Sequence, residues 1–140
     1  MAKILSRFNF RVIFRPTNKF CFPSLKDPVP HSNRCGIYHI PCQCGLGYIG
    51  QTRRALKFRV KEHMRHVSKQ EFEKSAIANH SWSFGHEFVF PKAKIIHAPI
   101  SLSELYFLES FAIFAHSNSL INESIPSLST AWKTLIQANH

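Results

Sequence analysis

The sequence predicts an α+β domain in which a small antiparallel sheet, opened by a hairpin, is flanked by three helices. Three observations predict it. Two short β-prone runs, Cys35–Ile40 and Gly47–Gly50, flank the turn Pro41-Cys-Gln-Cys-Gly-Leu46, which is the pattern of a hairpin. Leu56, Val60, Met64 and Val67 recur every three to four residues, the spacing of one buried helical face. Ser101-Leu-Ser-Glu104 precedes a long apolar run and reads as the capping box of a further helix.

The chain opens with a basic segment, acid-free up to Asp27 and punctuated by Pro16, Pro23, Pro28 and Pro30. Basic residues at 3, 7, 11, 15 and 19 would form one helical stripe, as in a mitochondrial transit peptide. Against that, Phe8, Phe10, Val12 and Phe14 alternate with the period of an extended strand. The prolines after them read as a linker in either case, so residues 1–33 are taken as a basic connector. A compact domain then runs over 34–132. After the hairpin a helix is expected from about Arg54 to Val67, and a shorter one over Ser75–Trp82. Phe88–Ala98 is expected to be extended, with Pro91 disturbing its early part. The third helix starts at Ser101 and ends near His116, with Phe107, Phe111 and Phe114 at core spacing. Ile121–Trp132 reads as irregular with a final turn, and 133–140 as a tail.

At 140 residues the chain has the length of one domain with a modest core, and its 44% apolar content is that of a folded protein. Its formal charge is +10, and residues 1–34 carry a large share of it. There Lys3, Arg7, Arg11, Arg15, Lys19, Lys26 and Arg34 are opposed only by Asp27. Such an excess selects a polyanionic partner, nucleic acid or an anionic membrane surface. The longest apolar run, Leu105–Ala115, is too short to span a bilayer and contains Glu109. No secretory signal is recognised, so Cys21, Cys35, Cys42 and Cys44 are expected in a reducing compartment, where metal binding is favoured over disulfides.

Within the hairpin, Gly36-Ile37-Tyr38 is followed, ten residues after Tyr38, by Tyr48-Ile49-Gly50. Gln51-Thr52-Arg53 comes next, then Leu56, Arg59 and His63 on the expected helix, where Arg59 and His63 share a face at i, i+4. Glu109 is the only charged residue of Leu105–Ala115, and an unpaired carboxylate on such a helix is costly without a cation or donors. This order resembles the GIY-YIG endonucleases. The resemblance implies that Glu109 holds one Mg²⁺ and Arg59 binds phosphate oxygens. It further implies that Tyr38 positions or deprotonates water, Tyr48 supports that water, and His63 faces the site. Asn122 resembles a late asparagine that supports the active site of the family. A free phenol titrates near ~10, so Tyr38 as a base needs positive charge beside it. The scattered acids suit one metal better than two. Arg53, Arg54, Lys57, Lys61 and Arg65 form a candidate phosphate-tracking surface, with a solvated basic face as the alternative. His66, His97 and His116 are assigned no role.

Phe14-Arg-Pro-Thr-Asn18, Lys26-Asp-Pro-Val-Pro30 and Cys35-Gly-Ile-Tyr-His-Ile-Pro-Cys42 are similar to the connector and endonuclease start of Penelope-like retroelement proteins. That likeness runs from about Phe10 to Trp132. It implies a nuclear protein that nicks DNA beside a reverse transcriptase domain, which this chain lacks. It also implies a structural Zn²⁺ bound by Cys42, Cys44, His80 and His86, a sensible tetrahedral set. Cys42-x-Cys44 is tighter than the common spacing and five residues separate the histidines, so Cys35 is an alternative ligand and His39 or His63 could intrude. Two rival readings stand beside nicking: a structure-specific repair or resolution nuclease, and a zinc-stapled nucleic-acid-binding domain without cleavage.

Overall fold

The computed structural model describes residues 29–98, 101–122, 129 and 133–134. The N-terminal connector before Val29, with its alternating phenylalanines, and nearly all of the expected last turn and tail lie outside the described residues. Strands β1 (Gly36–Pro41), β2 (Gly47–Thr52) and β3 (Lys94–His97) form one antiparallel sheet in the order β2-β1-β3. Helices α1 (Leu56–Ser68), α2 (Ala76–Phe84) and α3 (Leu102–Ala115) accompany it, with 3-10 turns at His31–Asn33, Phe72–Lys74, Phe90–Lys92 and Ser117–Ser119. The expected α+β architecture of a small antiparallel sheet with three helices is therefore present. No described helix is long and apolar enough to cross a membrane.

Strand β1 is central and covered on both faces, which is why it reads as a nearly continuous apolar run. Ile37 joins Ile49, Leu105, Leu108, Ala112 and Ile113 in one core cluster under α3. Its neighbours Tyr38 and Ile40 join Leu56, Ile77, Phe88 and Ile95 in a second. Each such aliphatic side chain contributes about 1.5–3 kcal/mol of transfer free energy on full burial. The β1–β2 register pairs Tyr38 with Gly50 and Ile40 with Tyr48. A Cβ on Gly50 would sit 2.6 Å from the Tyr38 hydroxyl oxygen and 2.9 Å from the Tyr48 ring, so glycine there lets the two tyrosines pack against the strand. Gly36, at φ 140, has the backbone oxygen of His97 where a Cβ would stand, at 2.1 Å.

Several local expectations are corrected. α1 buries Leu56, His63 and His66, whereas Met64 is 47% exposed, so its inward stripe is partly imidazole rather than methionine. The extended segment Phe88–Ala98 is interrupted. Phe88 bridges Cys42, Pro91 sits in a 3-10 turn, and only Lys94–His97 is a strand. Proline supplies no ladder N–H there, which explains the break. In α3, Ser101 Oγ accepts from Glu104 N at 3.2 Å, the expected cap. Phe111 is buried, while Phe107 and Phe114 are partly exposed.

Candidate functional site

Strand β1 aims Tyr38 at the inward face of α1. Arg59 Nε donates to the Tyr38 hydroxyl oxygen at 3.2 Å, and His63 Nε2 lies 2.8 Å from the same oxygen. The two helical residues are one turn apart, which is why both reach one phenol. Tyr48, from β2, packs its ring 6.1 Å from that of Tyr38 and 5.3 Å from His63. On its far side His63 Nδ1 is 3.2 Å from Ser75 Oγ. Arg59 also donates from Nη1 to Glu62 at 3.0 Å, and Arg54 pairs with the same carboxylate.

Glu109 comes to this group from α3. The backbone N–H of Gln51 bonds to its carboxyl and Arg59 acts on it electrostatically; both favour the anion, but burial outweighs them and raises its pKa. Asn122 stands differently. Its side-chain amide accepts from Ile49 N at 3.1 Å and donates to Ile49 O at 2.7 Å, so it clamps the outer edge of β2 between Tyr48 and Gly50. It is a support for the strand that carries Tyr48. The six residues picked from the sequence thus divide into five that converge and one that braces.

Burial pushes the Tyr38 phenol well above its ordinary range, and Tyr48 adds to this while Arg59 opposes it. The positive charge that a tyrosine base requires is present, yet desolvation outweighs it. Tyr48 is raised by burial and by Glu109. Burial, then Arg59 and His66, lower His63 to about 3. Above pH 6.5 His63 is neutral in the folded and unfolded chain alike. Between 6.5 and about 3 the unfolded chain takes up a proton that the folded one refuses. Acid therefore removes stability, by at most about 1.4 kcal/mol per pH unit from this group. His39 and His80, also lowered by burial, act in the same sense, and Glu109 in the opposite one. His63→Gln is expected to melt with a shallower pH slope than wild type on going from pH 6.5 toward 5; equal slopes would mean that the imidazole is not buried neutral.

A second cluster lies at the hairpin tip. Cys42, Cys44, His80 and His86 offer ligand atoms that all lie within 4.8 Å of one another, an arrangement that can hold a metal ion. His80 Nε2 is 3.4 Å from Cys44 Sγ and 3.1 Å from His86 Nδ1. Tetrahedral zinc bonds imply ligand–ligand edges of roughly 3.3–3.8 Å, so the four atoms would draw in by up to about 1 Å around such an ion. The unusual spacings have local causes. A tight turn after Cys42, with Gly45 at φ 90, turns both thiols to one side. Gly85, at φ 67, ends α2 and brings His86 back onto His80. Gln43 N donates to Glu87 O at 3.0 Å, which fastens the His86 segment to the hairpin. Cys35, His39 and His63 are not part of this cluster. A cleft of about 410 Å³ is lined in part by Cys44, His80, Phe84 and His86, so it belongs to this end rather than to the tyrosines.

Metal binding here should register as stability. At a hundredfold excess over Kd a bound ion adds about 2.7 kcal/mol. That corresponds to a Tm shift on the order of 10 °C for a domain of this size. Protein purified without chelator is expected to carry about one zinc per chain, as for one four-ligand site, and chelation to lower Tm by that amount. Metal-free protein with unchanged melting would remove the site.

Arg53, Arg54, Lys57, Lys61 and Arg65 are all exposed. Arg54 is engaged by Glu62 and Arg53 by Tyr106, whose ring it overlies at 5.7 Å. Sequence reasoning did not reach Ser75, Glu62 or the Gln51 backbone N–H. Ser75 entered only as the first residue of the expected second helix, and nothing marked the other two. No family model, curated protein or solved structure matches this chain.

Proposed function

We propose that this chain is a GIY-YIG-type DNA endonuclease that hydrolyses a phosphodiester bond, of the kind found in Penelope-like retroelement proteins. One observation carries the reading: Tyr38, Tyr48, Arg59, His63 and Glu109 converge from two strands and two helices. That set combines proton-transfer groups, a fixed cation and one partly buried carboxylate. Phosphodiester hydrolysis needs an activated water, neutralised phosphate charge and a stabilised leaving alkoxide.

In this reading Arg59 binds non-bridging phosphate oxygens with its planar fork. Glu109 is the ligand for one Mg²⁺, which when bound would supply charge neutralisation and an acidified water. Its half-buried carboxylate, raised by desolvation, is the kind of anion that a cation stabilises. Tyr38 orients the attacking water, and its own proton passes toward His63 Nε2 as it takes one from the water. His63 is a poor base in the empty site. A phosphate placed beside Arg59 makes the imidazolium easier to form, because opposite charge favours the charged form. Tyr48 bonds to the water from the other side, and Asn122 keeps the Tyr48 strand in register. Arg53, Arg54, Lys57, Lys61 and Arg65, exposed on and just before α1, track the backbone of the DNA partner, and Cys42, Cys44, His80 and His86 would hold Zn²⁺ as a structural ion. Within a full-length protein the domain would act in the nucleus beside a reverse transcriptase.

One observation favours the inert binder: Arg59 already donates to Glu62, so its guanidinium is partly engaged within the chain. Supercoiled plasmid separates the readings. Conversion to open circles only with a divalent cation supports the nuclease. DNA retained without any conversion, under every divalent metal tried, supports the binding module.

A further inference from the structure

Ser75 occupies the N-cap position of α2, at φ −154 and ψ 118, where a serine oxygen ordinarily accepts an N–H of the first turn. It makes no such bond. The side chain is buried, 7% exposed, and turns instead toward α1, placing Oγ 3.2 Å from His63 Nδ1. His63 is itself 1% exposed, and its other nitrogen is the one 2.8 Å from Tyr38. A residue suited to capping its own helix is thus committed to an imidazole on another.

The direction of these bonds follows from the donors present. The Tyr38 oxygen already receives Arg59 Nε–H. Polarised by that cation, its own proton goes to the best acceptor in reach, and a neutral imidazole nitrogen is a better acceptor than a second phenol. His63 Nε2 is then unprotonated, so the ring proton sits on Nδ1 and needs an acceptor in a dry site. Ser75 Oγ is at the distance to be that acceptor.

We propose that Ser75 is a positioning residue: its hydroxyl holds His63 in the Nδ1–H tautomer, with Nε2 facing the Tyr38 hydroxyl. Its consequence for cleavage rests on the nuclease reading, but the tautomer does not. Imidazole ¹⁵N–¹H correlation spectra of the full chain, with the His63 signals assigned by their loss in His63→Gln, read the tautomer directly. Wild type is expected to show Nδ1–H alone. Ser75→Ala, which removes no cap bond but leaves a buried imidazole nitrogen without its partner, is expected to give a tautomer mixture at a modestly lowered Tm, and Ser75→Thr to restore the single form. Nicking by Ser75→Ala should fall about 10–100-fold in kcat, the scale for an outer partner of a reacting group, with DNA affinity unchanged. A wild-type His63 protonated on Nε2 overturns the proposal whether or not Ser75→Ala folds. So does a folded Ser75→Ala that keeps the wild-type tautomer. If the tautomers behave as stated while wild type never nicks, the positioning role stands and the nuclease reading fails.

Discussion

Glu109→Ala is expected to leave supercoiled plasmid uncut where wild type nicks it in Mg²⁺. Its carboxyl is within reach of the Gln51 backbone N–H and under the influence of Arg59, in a helix otherwise apolar around it. Losing it removes the proposed metal ligand, and with it both water activation and charge neutralisation. The expected fall exceeds ~10²–10³-fold, the scale for losing one preorganised donor, because two contributions go at once. Folding should be spared, because burial disfavours this carboxylate as an anion and its removal relieves that cost. DNA binding should persist or tighten once a negative charge no longer faces phosphate. Glu109→Gln, which keeps an acceptor for the Gln51 N–H, should be as inactive as Glu109→Ala. If Glu109→Ala nicks as fast as wild type, the site has been assigned to the wrong residues.

The fold and the site were legible to different degrees, for physical reasons. Alternation and turn chemistry were enough to find the hairpin, since β1 and β2 are adjacent in sequence and pair through a short tight turn. The capping box was enough to find the start of α3, because Ser101 bonds locally to Glu104. Periodicity failed on α1, where it put Met64 inward. A histidine with partners on both ring nitrogens is as buried as any aliphatic residue, and no hydrophobicity pattern marks such a satisfied polar group. The metal cluster was legible as residue types but not as geometry. Its odd spacings become sensible only with Gly45 and Gly85 in positive-φ turns. Ser75 was invisible because its partner lies on another helix, and the sequence marked it only as the start of the helix Ser75–Trp82.

The remaining large effect is expected at Arg59. Arg59→Ala should lower the nicking rate by at least ~10²-fold, the scale for losing one preorganised electrostatic donor. Arg59→Lys should recover little of it, since an ammonium cannot reproduce a fork that reaches Tyr38 through Nε and Glu62 through Nη1. Burial works against this guanidinium, but Tyr38, Glu62 and Tyr48 outweigh it and hold it firmly protonated. Two roles then need separating, because Arg59 both faces phosphate and polarises the Tyr38 hydroxyl. Tyr38→Phe keeps the ring and its packing while deleting the hydroxyl that Arg59 and His63 share. If Arg59 acts mainly through the phenol, Arg59→Ala and the Arg59→Ala/Tyr38→Phe double variant should cleave at similar rates, with DNA affinity near wild type. If it acts mainly on phosphate, the two losses should multiply and Arg59→Ala should also weaken DNA binding. Arg59→Ala that cleaves at the wild-type rate would exclude both roles and leave the guanidinium as a structural partner of Glu62.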